Sequence, residues 1–382
     1  MKRNGKEQLN IVMLGHKRIP SREGGIEIVV EELSTRMVAA GHKVTCLNRA
    51  GRHVSGAEFG ANAVKEFQGV RIRTVPALDR KGLAAMTASV TGAIAAAFSA
   101  CDVVHFHAEG PCAMLWLPRL FGKRCIATVH GLDHQRAKWG KLARTYIMLG
   151  EKCAVKYADE IVVLSRGVQR YFQDTYGRKT VMIPNGVTRP ESREVREIAG
   201  KFGLAKDDYI LFLGRLVPEK GIAYLIEAFR QVDTDKKLVI AGGSSDTEIY
   251  SRRLKELAGD DSRILFTGFV QGRVLEELYS NAYVYVLPSD LEGMPLSLLE
   301  AMSYGNCCVT SDIEECAMVV EDHGFTFPRG SVTGLRTLLQ RLCDDPGAVD
   351  PMKRGAADFV TGKYNWDAVV RQTLALYTAG GK

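Results

Sequence analysis

No stretch of this 382-residue chain is apolar over the length that a membrane span needs, and its first ten residues, M-K-R-N-G-K-E-Q-L-N, lack the apolar centre of a secretory leader. The expected place of work is therefore the cytoplasm, which includes the inner face of the cell membrane. The nine cysteines form no C-x-x-C pair, which removes the common zinc and redox patterns, and most lie in apolar runs where buried thiols belong. No basic run is interleaved with aromatics and no recognition-helix motif occurs, so nucleic acid is a poor candidate partner. The apolar run Ile11–Leu14 is not followed by G-x-G-x-x-G, which disfavours a NAD-dependent dehydrogenase.

What is present is core and charge. With 46% hydrophobic residues the chain can bury two cores of ordinary size. Residues 1–187 hold 28 Lys and Arg against 15 Asp and Glu, or +13, whereas residues 188–382 hold 23 against 29, or −6; together they give the net +7. A basic first half suits anionic lipid headgroups or a diphosphate-linked acceptor, and simple solubility is its plain alternative.

Short β-branched runs alternate with helical stripes along the whole chain, which predicts α/β architecture. Strands are expected at Ile11–Leu14, Val44–Leu47, Val70–Val75, Asp102–His107, Cys125–Val129, Glu160–Leu164 and Thr180–Ile183. The segment 51–69 reads as loop or hairpin. Gly82–Ala100 reads as a core helix, with a bilayer-surface helix led by Arg80-Lys81 as the alternative. Asp133–Ala158 reads as one long helix carrying Arg136, Lys138, Lys141, Arg144, Lys152 and Lys156, either a solvated face or a membrane-docking one. Turn chemistry at Pro184-Asn185-Gly186-Val187 marks a boundary. A second series follows, with strands at Tyr209–Leu213, Lys237–Ala241, Arg263–Thr267, Tyr283–Leu287 and Cys307–Thr310. Helices are expected from Ile313, from Val332 and around Trp366–Tyr377.

The densest chemistry lies in Ser289–Gly305, S-D-L-E-G-M-P-L-S-L-L-E-A-M-S-Y-G. A strand ends at Pro288, a loop carries Glu292, and a helix is predicted with Pro295 at its first position and Gly305 as its C-terminal cap. Glu300 then stands roughly 7 to 8 Å further along the axis at about 1.5 Å per residue. The N–H groups between the two acids would suit a phosphate, and the acids would suit sugar hydroxyls; an ordinary capped helix is the plain alternative. Gly24-Gly25, after the first strand and before a helix, would let a ligand approach the backbone. Arg215 and Lys220, beyond the strand Tyr209–Leu213, would clamp a diphosphate. His130 ends a strand where ligand contacts collect. His105 and His107 share one face of their strand, but nothing near them completes a metal site. Asp233-Thr234-Asp235 spells D-x-D within a polar turn and reads as loop.

These elements in this order resemble the GT-B glycosyltransferases of family 4, the glycogen synthase and mannosyltransferase-like group. The resemblance rests on Gly24-Gly25, D-V-V-H-F-H, T-V-H-G at 128–131, I-P-N-G-V at 183–187, G-R-L-V-P-E-K-G at 214–221 and the two glutamates eight apart. The run G-H-K-R-I-P-S-R-E-G-G-I-E is similar to the rhamnosyltransferase-like bacterial branch that builds surface polysaccharides. Where many members read E-G-F-G, this chain has Glu292-Gly293-Met294-Pro295.

The resemblance implies two Rossmann-like domains facing a cleft: residues 1–187 for the acceptor, 188–364 for the nucleotide sugar, and a helix in 365–382 crossing back to the first domain, with Trp366 as its anchor. It implies retaining, metal-independent transfer from a nucleoside-diphosphate sugar, with a UDP-sugar favoured, to a glycan or polyprenyl-diphosphate-linked acceptor. The catalytic set it implies is Glu292, His130, Arg215 and Lys220. The donor would be held by Gly24, Gly25, Arg215, Lys220, Gly268, Phe269, Val270, Glu292, Gly293, Met294, Pro295, Leu296 and Glu300, with Glu300 on the ribose, Glu292 on the sugar and the Gly24-Gly25 loop over the diphosphate. No cofactor or metal is expected. A GT-B nucleotide-sugar epimerase and a non-catalytic sugar-nucleotide-binding partner are the rival readings.

Overall fold

A computed structural model describes residues 8–51, 64–78, 80, 83–136, 139–243 and 248–379 of the chain. Two compact units result: Met1–Asn185 with Trp366–Lys382, and Gly186–Asn365.

The first unit is built on β1 (Asn10–Leu14), β2 (Lys43–Arg49), β3 (Glu66–Phe67), β4 (Val70–Val75), β5 (Val103–His107), β6 (Arg124–Val129), β7 (Glu160–Val163) and β8 (Val181–Met182). Their order across the sheet is β3-β4-β2-β1-β5-β6-β7-β8, parallel throughout except for the β3–β4 hairpin. Residues of β5 are buried at all five positions, as expected of a parallel strand covered on both faces. Helices α1 (Gly25–Ala39), α2 (Leu83–Ala97), α3 (Trp116–Leu120), α4 (Lys141–Tyr157) and α5 (Arg166–Tyr176) supply that cover. In α1 the stripe of Val29, Val30, Leu33 and Met37 is buried. Helix α5 is bounded by the Ser165 hydroxyl, which accepts from the Val168 N–H, and by Gly177 at φ +61°.

Two sequence expectations change here. Helix α2 turns its small residues inward, burying Ala84, Gly92, Ala93, Ala96 and Ala97, and leaves Leu83, Val90 and Ile94 exposed. It is therefore not a wholly buried core helix. The single helix expected over Asp133–Ala158 is instead a 3-10 turn, Asp133–Gln135, followed by α4 starting after Gly140. Gly140 takes an extended conformation that interrupts the helical path. Lys81, Lys138 and most of the segment 51–69 lie outside the described residues.

The second unit holds β9 (Tyr209–Leu213), β10 (Lys237–Ala241), β11 (Ile264–Gly268), β12 (Val284–Leu287), β13 (Cys308–Ser311) and β14 (Gly324–Phe327) in the order β11-β10-β9-β12-β13-β14, all parallel. In chain order this is the 3-2-1-4-5-6 arrangement of the doubly wound fold, with its switch point between β9 and β12. Helices α6 (Glu197–Phe202), α7 (Ile222–Phe229), α8 (Glu248–Ala258), α9 (Gly272–Asn281), α10 (Leu296–Ser303), α11 (Glu314–Val320), α12 (Val332–Asp344) and α13 (Val349–Lys363) surround it. Pro295 precedes α10 as its N-cap, at φ −75° and ψ 104°, rather than serving as its first helical residue.

Helix α14 (Trp366–Thr378) belongs to the first unit. Trp366, Val369, Val370, Thr373 and Tyr377 are buried, and Asp367 pairs with Arg36 at 2.9 Å. The Arg124 Nε donates to the Leu376 carbonyl at 2.8 Å. All nine cysteines are free thiols, seven of them buried.

Candidate active site

At the switch point of the second unit, chain segments leave β9 and β12 side by side, and glycines set how closely they pack. A Cβ on Gly242 would lie 1.8 Å from the Gly214 carbonyl oxygen, and one on Gly221 would lie 1.9 Å from that of Pro288. Gly221 also sits at φ +66°, which a side chain disfavours. The 3-10 turn Pro218–Lys220 is thereby pressed onto the exit of β12, and the Asp290 N–H donates to the Glu219 carbonyl at 2.8 Å.

That contact brings Lys220 to Glu292, with Nζ 2.6 Å from Oε1, although 72 residues separate them. Both side chains are nearly buried. The Ser289 hydroxyl donates to the same Oε1 at 2.6 Å, and the Ser311 hydroxyl donates to the Ser289 carbonyl, fixing the loop from below. The Arg215 carbonyl, on the same β9–α7 connection, accepts from the Val217 N–H, while its half-buried side chain has no hydrogen-bond or ion-pair partner among the described residues. The local balance is thus one compensated cation and one available cation. Glu300 lies within α10 and accepts from the Tyr279 hydroxyl at 3.2 Å. Gly293, Met294, Pro295 and Leu296 are buried, so the side chains of Met294 and Leu296 serve packing.

Two strands further across, the Gly242 N–H donates to the Gly268 carbonyl, and Phe269 stands exposed over Gly243 at 3.6 Å from its ideal Cβ, with half-buried Val270 next to it. Gly268 itself turns at φ +71°. The D-x-D residues lie elsewhere, in the turn between α7 and β10, where the Asp233 N–H donates to Gln340.

In the first unit the switch point falls between β1 and β5. Gly15, at φ +108°, lies so close to β5 that a Cβ would be 2.0 Å from the His107 carbonyl oxygen. A chain of imidazoles follows. His107 Nδ1 is 3.1 Å from His130 Nε2, while His105 meets the Tyr377 hydroxyl at 2.6 Å and the Thr128 hydroxyl at 2.7 Å. Burial, then the neighbouring His130, lowers His105 to about 3; burial, then Arg136, lowers His130 to about 3. Burial and the adjacent histidines also push His107 down. All three are therefore neutral near pH 7, each able to donate through one nitrogen and accept through the other. His16, after β1, is likewise lowered by burial, against the raising effect of Glu27, and bonds Asn48 at 3.0 Å.

Gly24 is the N-cap of α1, and an added Cβ would lie 2.3 Å from Glu27 Oε2. Gly25 begins the helix. Glu27 already offers its carboxylate to this first turn and accepts from the Lys17 N–H at 2.9 Å.

A third grouping carries no local sequence pattern. Glu109 after β5, His134 in the 3-10 turn and Glu151 in α4 bring ligand atoms within 4.8 Å of one another. Burial first, then Glu151 and Asp133, pushes Glu109 up to about 10.

Residues 207–345 match the family model for glycosyl transferases group 1, and residues 23–189 match that for glycosyltransferase family 4. An uncharacterized glycosyltransferase of Methanocaldococcus jannaschii is 34% identical over 172 residues, covering 44% of each chain. Glycogen synthase of Mycobacterium tuberculosis is 25% identical over 404 residues, covering 97% of this chain and 95% of its own. The chain spans about half the length of the first curated relatives it matches. Among solved structures, Anabaena HepE in complex with UDP and glucose is similar in fold, with a TM-score of 0.80 at 15% identity over 97% of this chain and 100% of that one. With two consecutive family models over doubly wound sheets of this kind, the chain belongs to glycosyltransferase family 4 and has its GT-B fold.

Proposed function

We propose that this protein transfers a sugar, with retention of anomeric configuration, from a nucleoside-diphosphate sugar to a glycan or lipid-linked acceptor in bacterial surface-polysaccharide synthesis. The observation that carries the donor half is the Lys220–Glu292 pair beside Arg215 at the β9–β12 switch point. A diphosphate arriving there meets Arg215 and draws Lys220 from Glu292, which frees a carboxylate for sugar hydroxyls. Charge building on the leaving diphosphate is then balanced by two side-chain cations, and the transfer step needs no metal. Glu300 takes the ribose hydroxyls, exposed Phe269 and the backbone from Gly268 to Val270 take the base, and the N–H groups of Gly293, Met294 and Leu296 face the phosphate. His130, neutral, hydrogen-bonds a hydroxyl of the donor sugar. The UDP complex of HepE favours uridine as the base.

The acceptor half rests on two surfaces of the first unit. Helix α4 exposes Lys141, Arg144, Lys152 and Lys156 around Leu142 and Leu149, and Val90, Ile94 and Phe98 lie exposed near Leu120 and Phe121, with the Phe98 and Phe121 rings 4.8 Å apart. Among the described residues no helix is long and apolar enough to cross a membrane. A basic face with exposed leucines suits contact with an anionic bilayer that carries a lipid-linked acceptor.

Thermal shift against uridine, guanosine, thymidine and adenosine diphosphate sugars tests the donor. A rise in Tm with the uridine compound alone is expected, and no rise with any of them would remove the assigned site. Incubation of the responding donor without acceptor must leave it unchanged; an isomerised sugar nucleotide would instead mark an epimerase.

A further inference from the structure

Glu109, His134 and Glu151 come from three different elements of the first unit, and close backbone packing draws them together. Gly150 in α4 is flush with the Glu109 backbone, for a Cβ there would lie 2.0 Å from the Glu109 carbonyl oxygen. Its neighbour Glu151 is thereby brought beside Glu109. Both carboxylates have fully buried side chains, and His134 is 15% exposed.

Each carboxylate has one oxygen held by protein donors. Glu109 Oε2 accepts from the Asp133 N–H at 2.8 Å, and Glu151 Oε1 accepts from the hydroxyls of Tyr171, at 2.9 Å, and Tyr176. The remaining oxygens, Glu109 Oε1 and Glu151 Oε2, converge on His134 Nδ1 at 3.9 and 3.4 Å. Among the described residues none of these three buried atoms has a hydrogen-bond partner. Such an arrangement, in which outer donors orient carboxylates whose inner oxygens meet an imidazole nitrogen, is how metal ligands are held. For bonds of about 2.0 to 2.2 Å, neighbouring ligands of a tetrahedral ion lie roughly 3.3 Å apart; the His134–Glu151 separation of 3.4 Å matches that, and all three ligand atoms lie within 4.8 Å, so modest side-chain rotation closes the set.

We propose that Glu109, His134 and Glu151 bind one divalent transition-metal ion of the zinc class, separate from the donor site and structural in role. Two carboxylates neutralise the ion in a place where unpaired charge is costly, and one imidazole with two carboxylate oxygens suits zinc better than magnesium or calcium. The ion would tie the turns after β5 and β6 to α4, the helix whose outer face carries the exposed basic residues.

The test uses the full chain, stripped with EDTA, loaded with zinc chloride and desalted. Elemental analysis should find about one zinc per chain, and zinc at roughly 100 times its dissociation constant should raise Tm by about 5 °C or more. In His134→Ala both effects should vanish. Since His134 lies in a partly exposed turn, that variant is expected to fold, and its Tm response to a nucleoside diphosphate serves as the check. Wild-type protein with no retained zinc and an unmoved Tm would overturn the proposal, leaving a shared proton between the carboxyls. Equal zinc retention in His134→Ala would overturn it too, placing the metal elsewhere, on the cysteines for example. Neither result bears on glycosyl transfer.

Discussion

Glu292 Oε1 receives two donors at 2.6 Å each, the Lys220 ammonium and the Ser289 hydroxyl, so it is positioned before any ligand arrives. In Glu292→Gln the shape is kept and the charge is lost, which leaves Lys220 nearly buried without a counter-ion. Transfer should fall on the order of 100-fold, and Tm should drop by a few degrees, as for loss of a partly buried charge-assisted bond. Nucleotide release assayed beside a melting curve reads both, and wild-type turnover would remove Glu292 from the mechanism. Gly221→Ala probes the backbone instead. With φ at +66° and the Pro288 oxygen 1.9 Å from the new Cβ, the turn bearing Lys220 has to move, at an expected cost of at least about 2 kcal/mol. Denaturant unfolding that matches wild type would contradict this packing.

At the scale of elements, β5, the turns after β1 and β6 and the entry to β2 carry the histidines that make the first unit sensitive to acid. His16, His42, His105, His107 and His130 are all lowered by burial, so between about 6.5 and 3 the unfolded chain takes up protons that the folded one refuses. Stability is therefore expected to fall as pH drops below about 6.5. Glu31 and Glu109, raised by burial, act in the opposite sense above their ordinary range, two groups against five. Tm measured from pH 7.5 to 5 should decline, and less steeply in His105→Gln; a flat wild-type curve would contradict neutral burial. These strands were legible because parallel strands covered on both faces read as continuous apolar runs. Helix α5 leaves only a faint mark in the sequence, although Ser165 and Gly177 bracket it, since only Val168 and Phe172 are buried within a polar stretch. The start of α4 at Lys141 is hidden in the sequence because Trp139-Gly140 does not break the basic, amphipathic pattern. Lys220 and Glu292 could each be picked out locally, but their pairing depends on β9 and β12 being neighbours. Glu109, His134 and Glu151 left no local trace, because their meeting depends on the turn after β5, the turn after β6 and a glycine in α4.

For the whole molecule, the sequence order of the parts is not their order in space. Helix α14 closes the first unit after the second has been completed, so the first unit of a nascent chain lacks the Tyr377 hydroxyl for His105, the Leu376 carbonyl for Arg124 and five buried side chains until the end. At roughly 1.5 to 3 kcal/mol for each large apolar side chain, that loss is comparable with the stability of an ordinary domain. A chain ending at Asn365 should therefore show two separate melting steps, the earlier from the first unit, and proteolysis should remove residues 1–185 while sparing 186–365. A single transition at the wild-type temperature would show that α14 contributes little.

The floor of the proposed donor site, where Gly214 touches Gly242 and Gly221 touches Pro288, is main chain laid against main chain. Such a surface offers a protein engineer almost nothing to vary, since any added carbon there displaces backbone. Attempts to retarget the enzyme to another nucleotide sugar should leave these positions alone and diversify what stands above them, with Phe269 the first choice for the base and Ser289, which steers the Glu292 carboxylate, for the sugar.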